Sequence, residues 1–62
     1  MNSKEVKNTL RMENIPYWRL AKAMSVSENT VYRMLRENEL SKDSEERITK
    51  AIDAVRKEQN ND

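Results

Sequence analysis

Apolar residues recur along this chain at helical spacing almost from end to end. Val6 and Leu10 stand four apart, which marks one face of a first helix from about Ser3 to Glu13, with Ser3 as its candidate cap. Asn14-Ile15-Pro16 ends it, because the residue before a proline avoids the helical region and proline suits the first turn of the next helix. A second helix therefore starts near Pro16 or Tyr17 and carries Leu20, Ala21 and Met24 inward. Ser25-Val26 turns the chain, and Ser27 is positioned to cap a third helix whose inner face is Val31, Met34 and Leu35. Glu37 to Lys42 reads as a linker with Leu40 as its apolar anchor. Asp43 followed by Glu46 has the spacing of a capping box, with Ser41 and Ser44 as rival caps. Ile48, Ala51, Ile52 and Val55 then repeat at i, i+3, i+4 and i+7, the clearest amphipathic pattern in the chain.

The prediction is an all-α, compact domain of about four helices over residues 1–58, with 59–62 as a frayed polar tail. Strands have almost no support, since there is no glycine for tight hairpins and the single proline falls between helices. Beside the inner stripe of the second helix, Trp18 is expected to close the core or its edge rather than turn its indole N–H to a phosphate. Met12, Met24 and Met34 are expected to fill gaps in or at the edge of that core.

Sixty-two residues support one thin core and no second domain. Without Cys or His, disulfides and the common metal sites are excluded, and no metal or other cofactor is expected. Serine and threonine occur without a histidine base, and no glycine-rich phosphate loop can be built, so catalysis on a small-molecule substrate is not expected. No apolar run approaches the roughly 18 residues of a membrane span, and the first residues lack the apolar segment of a signal peptide. These features predict a cytoplasmic protein with no membrane partner.

The net charge of +1 hides an asymmetry. Residues 1–36 carry seven Lys/Arg against three Glu, a local +4, whereas residues 37–62 carry five basic against eight acidic residues, a local −3. A basic front suits a polyanion. Two short helices joined by a tight turn bury little by themselves and must be pinned by neighbours, which leaves the second of them standing proud of the surface. Such a helix can enter the DNA major groove while the preceding one crosses the backbone.

The stretch YWRLAKAMSVSENTVYRMLR, Tyr17 to Arg36, resembles the phage-repressor-type (Cro-like or Xre-like) helix-turn-helix regulators. In particular it resembles the small single-domain members carried by phages and mobile elements of low-GC Gram-positive bacteria. A fainter similarity continues over ELSKDSEERITKAIDAV, Glu39 to Val55. Ala21 stands at the small-residue position where the two helices cross, Leu20 and Met24 are inner residues, and Val26 is the apolar residue just after the turn. The departure is Ser25, where the family usually has glycine at a positive φ.

The resemblance implies a sequence-specific regulator of double-stranded DNA: a repressor, a Cro-like control protein or a factor directing excision. Its recognition helix would be about Ser27–Arg36. Asn29, Arg33, Tyr32, Glu28 and Arg36 would read bases, since Asn pairs with adenine, Arg with guanine, Glu accepts from cytosine and a tyrosine ring meets a thymine methyl. Ser27, Thr30, Arg19, Lys22 and Tyr17 would hold phosphates. A homodimer on two half-sites is the expected assembly, with the fourth helix as its candidate surface. The alternative is a protein-interaction module that keeps this fold and acts as an antirepressor or inhibitor, which the acidic residues Glu37, Glu39, Asp43, Glu45 and Glu46 would serve.

Overall fold

Asn2, not Ser3, caps the first helix. In a computed structural model that describes residues 2–37 and 39–60, α1 spans Ser3–Met12, and the Asn2 side chain accepts from the Glu5 N–H at 2.9 Å. Lying one residue inside the helix, Ser3 is turned inward instead; it is buried and its hydroxyl donates to the Glu37 carbonyl. An antiparallel bridge between Asn2 and Glu39 adds to the same seam. The start of α1 is thus sewn to the exit of the third helix.

Three further helices follow: α2 Tyr17–Met24, α3 Glu28–Arg36 and α4 Lys42–Asn60. The first two helices end in the same way. Past α1, Asn14 takes φ 56°, its N–H bonds to the Arg11 carbonyl at 3.2 Å, and the Ile15 N–H reaches back to Leu10 at 2.8 Å. Past α2, Ser25 takes φ 59° and ψ 40°, its N–H bonds to Lys22 at 3.2 Å, and the Val26 N–H reaches Ala21 at 3.0 Å. Both are Schellman ends, in which a left-handed residue lets two backbone N–H groups satisfy orphan helix carbonyls. In a chain without glycine, Asn and Ser do this. The apolar residue that follows each turn goes inward: Ile15 is buried and Val26 packs on the core.

Ser27 caps α3 as its position predicts, accepting from the Thr30 N–H at 3.2 Å. The capping box expected at Asp43 and Glu46 does not form. Because α4 begins one residue before Asp43, Ser41 is the residue whose hydroxyl meets the Ser44 N–H, at 3.2 Å, and whose carbonyl accepts from Glu45. At the other end, α4 continues through Gln59 to Asn60, while Asn61 and Asp62, the rest of the expected frayed tail, lie outside the described residues.

Val6 and Leu10 of α1, Leu20 and Ala21 of α2, Val31 and Leu35 of α3, and Ile48, Ala51, Ile52 and Val55 of α4 form one core, with Ile15. Met24, Met34 and Leu40 lie against it half-buried. Two expected core residues do not join. Met12 is 80% exposed, because two positions past Leu10 is about 200° around the helix. Trp18 is 56% exposed for the same reason, standing two positions before the buried Leu20; the ring that packs on the core at this end belongs to Tyr17.

α2 packs on both α3 and α4, and α1 packs on α3. Ion pairs reinforce the α4 side. Arg56 holds Glu13, just past α1, through two bonds of 2.7 and 2.5 Å, and Arg19 of α2 meets Glu58 at 3.4 Å. The hydrogen bond from Arg56 holds the Glu13 carboxyl below its ordinary range, helped by the guanidinium charge and opposed by desolvation. Among the described residues, no helix is long and apolar enough to cross a membrane.

Candidate nucleic-acid interface

The direction of α3 is fixed by the turn before it and by its buried face. Ser25 reverses the chain within three residues of Met24, Ser27 caps the new helix, and burial of Val31 and Leu35 rotates the opposite face outward. With about 100° between successive residues, that outward face centres on Arg33, with Asn29 and Arg36 at i, i+4 and i+7 along one stripe. All three are exposed. Neither arginine has an ion-pair partner among the described residues, in contrast to Arg19 and Arg56 on the α4 side.

The other expected base-reading residues flank this stripe. Tyr32 is half-exposed, and its ring meets that of Tyr17 at a centroid distance of 4.7 Å and a tilt of 52°. That contact fixes the Tyr32 ring and braces α3 against the start of α2. Glu28 is exposed in the first turn of α3, where a carboxylate also complements the helix dipole, so its charge has a structural use.

The expected phosphate-holding residues fall into two groups. Lys22 is exposed with no ion-pair partner among the described residues, whereas the Arg19 guanidinium is engaged by Glu58. Ser27 and Thr30 sit together at the start of α3 with their hydroxyls 2.9 Å apart, so each is partly committed to the cap. Tyr17 is half-buried and committed to Tyr32.

Beside Arg33, an open groove of about 600 Å³ runs between α3 and the start of α4, with Thr30 and Met34 on one wall and Glu37, Glu39, Leu40, Ser41 and Ser44 on the other. Its acidic wall bounds the basic surface on that side. On α4 the whole apolar stripe is spent on the core, which leaves Ala54 as the only exposed apolar residue of that helix. In the sequence the cations of α1 count toward the basic front but are given no site role; Lys4 and Lys7 border the same groove as Arg36.

No protein-family model matches the chain, and comparisons with curated proteins and with solved structures return no match.

Proposed function

We propose that the protein is a sequence-specific DNA-binding regulator of a phage or mobile element, acting as a repressor, a Cro-like control protein or an excision-control factor in the cytoplasm. One observation carries the reading: a short helix turned outward about Val31 and Leu35 that presents Asn29, Arg33 and Arg36 along one stripe, with both guanidinium groups unpaired among the described residues. A helix of this size fits the major groove, where Asn29 reads adenine and Arg33 reads guanine through paired hydrogen bonds. Tyr32, whose ring packs on Tyr17, meets a thymine methyl. Lys22, Ser27 and Thr30 hold phosphates and set the register.

One helix gives a small interface, so two copies on half-sites about one helical turn apart make the specific complex. The spent apolar stripe of α4 argues that the copies meet through another surface or are paired by the DNA itself.

Selection of bound duplexes from a random DNA pool, with affinity then measured across a salt series, tests the proposal. A recurring sequence and a steep fall of affinity with salt support it, and a symmetric site reports the dimer. The second reading, a protein-interaction module, is favoured by the exposed rings and thioether of Trp18 and Met12, which form no part of the core. It takes over if duplex DNA is not bound at any salt concentration.

A further inference from the structure

Four residues of α1 fall on one stripe: Lys4, Lys7, Asn8 and Arg11, at i, i+3, i+4 and i+7. All four are exposed, and the acidic residue of this helix, Glu5, lies off the stripe. Arg11 donates to Asn8 at 3.2 Å, and none of the three cations has an ion-pair partner among the described residues. Two grooves show where this stripe sits. Lys4 and Lys7 share a groove of about 450 Å³ with Leu35 and Arg36 of α3, and Lys7, Asn8 and Arg11 share one of about 360 Å³ with Pro16 and Tyr17. Tyr17 in turn touches Tyr32. The cations of α1 therefore share one groove directly with α3, at Arg36, where Glu37 and Glu39 limit the basic surface on the linker side, and elsewhere reach α3 only through Tyr17 and its contact with Tyr32.

Helix stability accounts for Arg11 alone, a cation in the last turn where it complements the helix dipole. Lys4 stands in the first turn, where the helix dipole disfavours a cation, and Lys7 and Arg11 are a like-charge pair four residues apart, which weakens a helix. What three unpaired cations on a convex helix face do match is a row of phosphates. We infer that α1 lies along the sugar-phosphate backbone next to the base pairs contacted by α3, with Lys4, Lys7 and Arg11 as phosphate contacts. This inference rests on the DNA-binding reading above and extends its footprint to a third helix.

The test compares two triple variants that lose the same charge. One is Lys4→Gln with Lys7→Gln and Arg11→Gln; the other is Arg47→Gln with Lys50→Gln and Lys57→Gln on α4. Binding to random-sequence duplex DNA is measured from 50 to 200 mM salt, with thermal melts to confirm folding. Each lost phosphate contact lowers the slope of log K against log salt by about 0.9, so the α1 variant should lose about 2 to 3 units of slope, and the α4 variant well under one. Lys7→Gln alone should lose about one unit, which covers failure of the triple variant to fold. If the unmodified protein binds no duplex DNA, the DNA-binding reading fails and takes this inference with it. If it binds with a steep slope that the α1 variants retain, or if both triple variants lose slope equally, the stripe is an ordinary solvated face and only this inference is overturned.

Discussion

Replacing Ser25 by glycine should stabilise the protein, although it removes a side chain and no contact is gained. Ser25 is held at φ 59° and ψ 40°, where the Cβ of an L-residue crowds the backbone at a cost of about 1–2 kcal/mol. Glycine escapes that cost but widens the unfolded ensemble, which returns about 0.4–1 kcal/mol. The net expectation is a gain of up to about 1 kcal/mol, which at that upper bound is a rise of roughly 4–8 °C in Tm for a domain of this size. The two Schellman bonds, from Ser25 to Lys22 and from Val26 to Ala21, use backbone groups alone and survive the change. Asn14→Gly makes an internal comparison. Asn14 sits at φ 56° in an equivalent turn, but asparagine tolerates the left-handed region better, so its gain should be smaller. At Ser27, where the backbone is extended and the hydroxyl caps α3, Ser27→Gly should instead lose a few tenths of a kcal/mol. Thermal and urea unfolding followed by circular dichroism would order the three variants. An unchanged or lowered Tm for Ser25→Gly refutes the left-handed turn and with it the geometry that projects α3.

Ile52→Ala should cost about 2–4 kcal/mol, because Ile52 is 5% exposed in a core with little to spare; near-native stability in urea unfolding would make α4 peripheral. Acid stability should depend on Glu13. Its folded value lies below the ordinary 4.5, so its contribution is complete above that pH and is lost as pH falls through the lower folded value; Arg56 stays charged throughout. Glu13→Gln should therefore flatten the acid limb of a stability-against-pH curve, and an unaltered limb would mean that the pair contributes nothing. Trp18, the chain's one tryptophan and 56% exposed, should be readily quenched by acrylamide, and Trp18→Ala should change stability by no more than about 0.5 kcal/mol; a protected, blue-shifted emission would contradict its position.

What the sequence made legible was whatever one helix decides alone. Ile48, Ala51, Ile52 and Val55 sit where their spacing puts them, Ser25 turns left-handed, and Ser27 caps α3. Cap positions depend on a helix's starting residue, and there the sequence misleads. A one-residue difference moved the cap from Ser3 to Asn2 and freed Ser3 to bind the Glu37 carbonyl, a contact that spans 34 positions and leaves no local trace. Hydrophobicity alone draws Trp18 and Met12 into the core, whereas their angular positions, two residues from Leu20 and Leu10, point outward. In the sequence Asn14 is legible only as part of a proline break. Its partnership with Ser25, two left-handed residues closing two helices by the same bonds, appears once φ is known. At the candidate interface, the stripe of Asn29, Arg33 and Arg36 follows from periodicity, but the engagement of Arg19 by Glu58 joins residues 39 apart and does not.

If the proposed function holds, Arg33 and Lys22 should separate reading DNA from merely touching it. Arg33 lies two residues after the buried Val31 at the centre of the outward face of α3, and its planar guanidinium can donate two bonds to the O6 and N7 of guanine. Lys22 is exposed on α2, where a flexible ammonium acts on phosphate as a point charge. Both are exposed, so neither substitution should disturb the fold. Arg33→Ala should therefore cost about 1–3 kcal/mol on the selected site and flatten discrimination at one base pair, with little change on scrambled DNA. Lys22→Ala should weaken both DNAs by the same factor and lower the salt slope by about one unit. Titrations of both variants on both DNAs across several salt concentrations resolve the two signatures. If Arg33→Ala weakens selected and scrambled DNA equally, Arg33 is a phosphate contact and the base-reading stripe of α3 has been assigned to the wrong residue; if neither variant alters DNA binding, α3 does not carry the interaction.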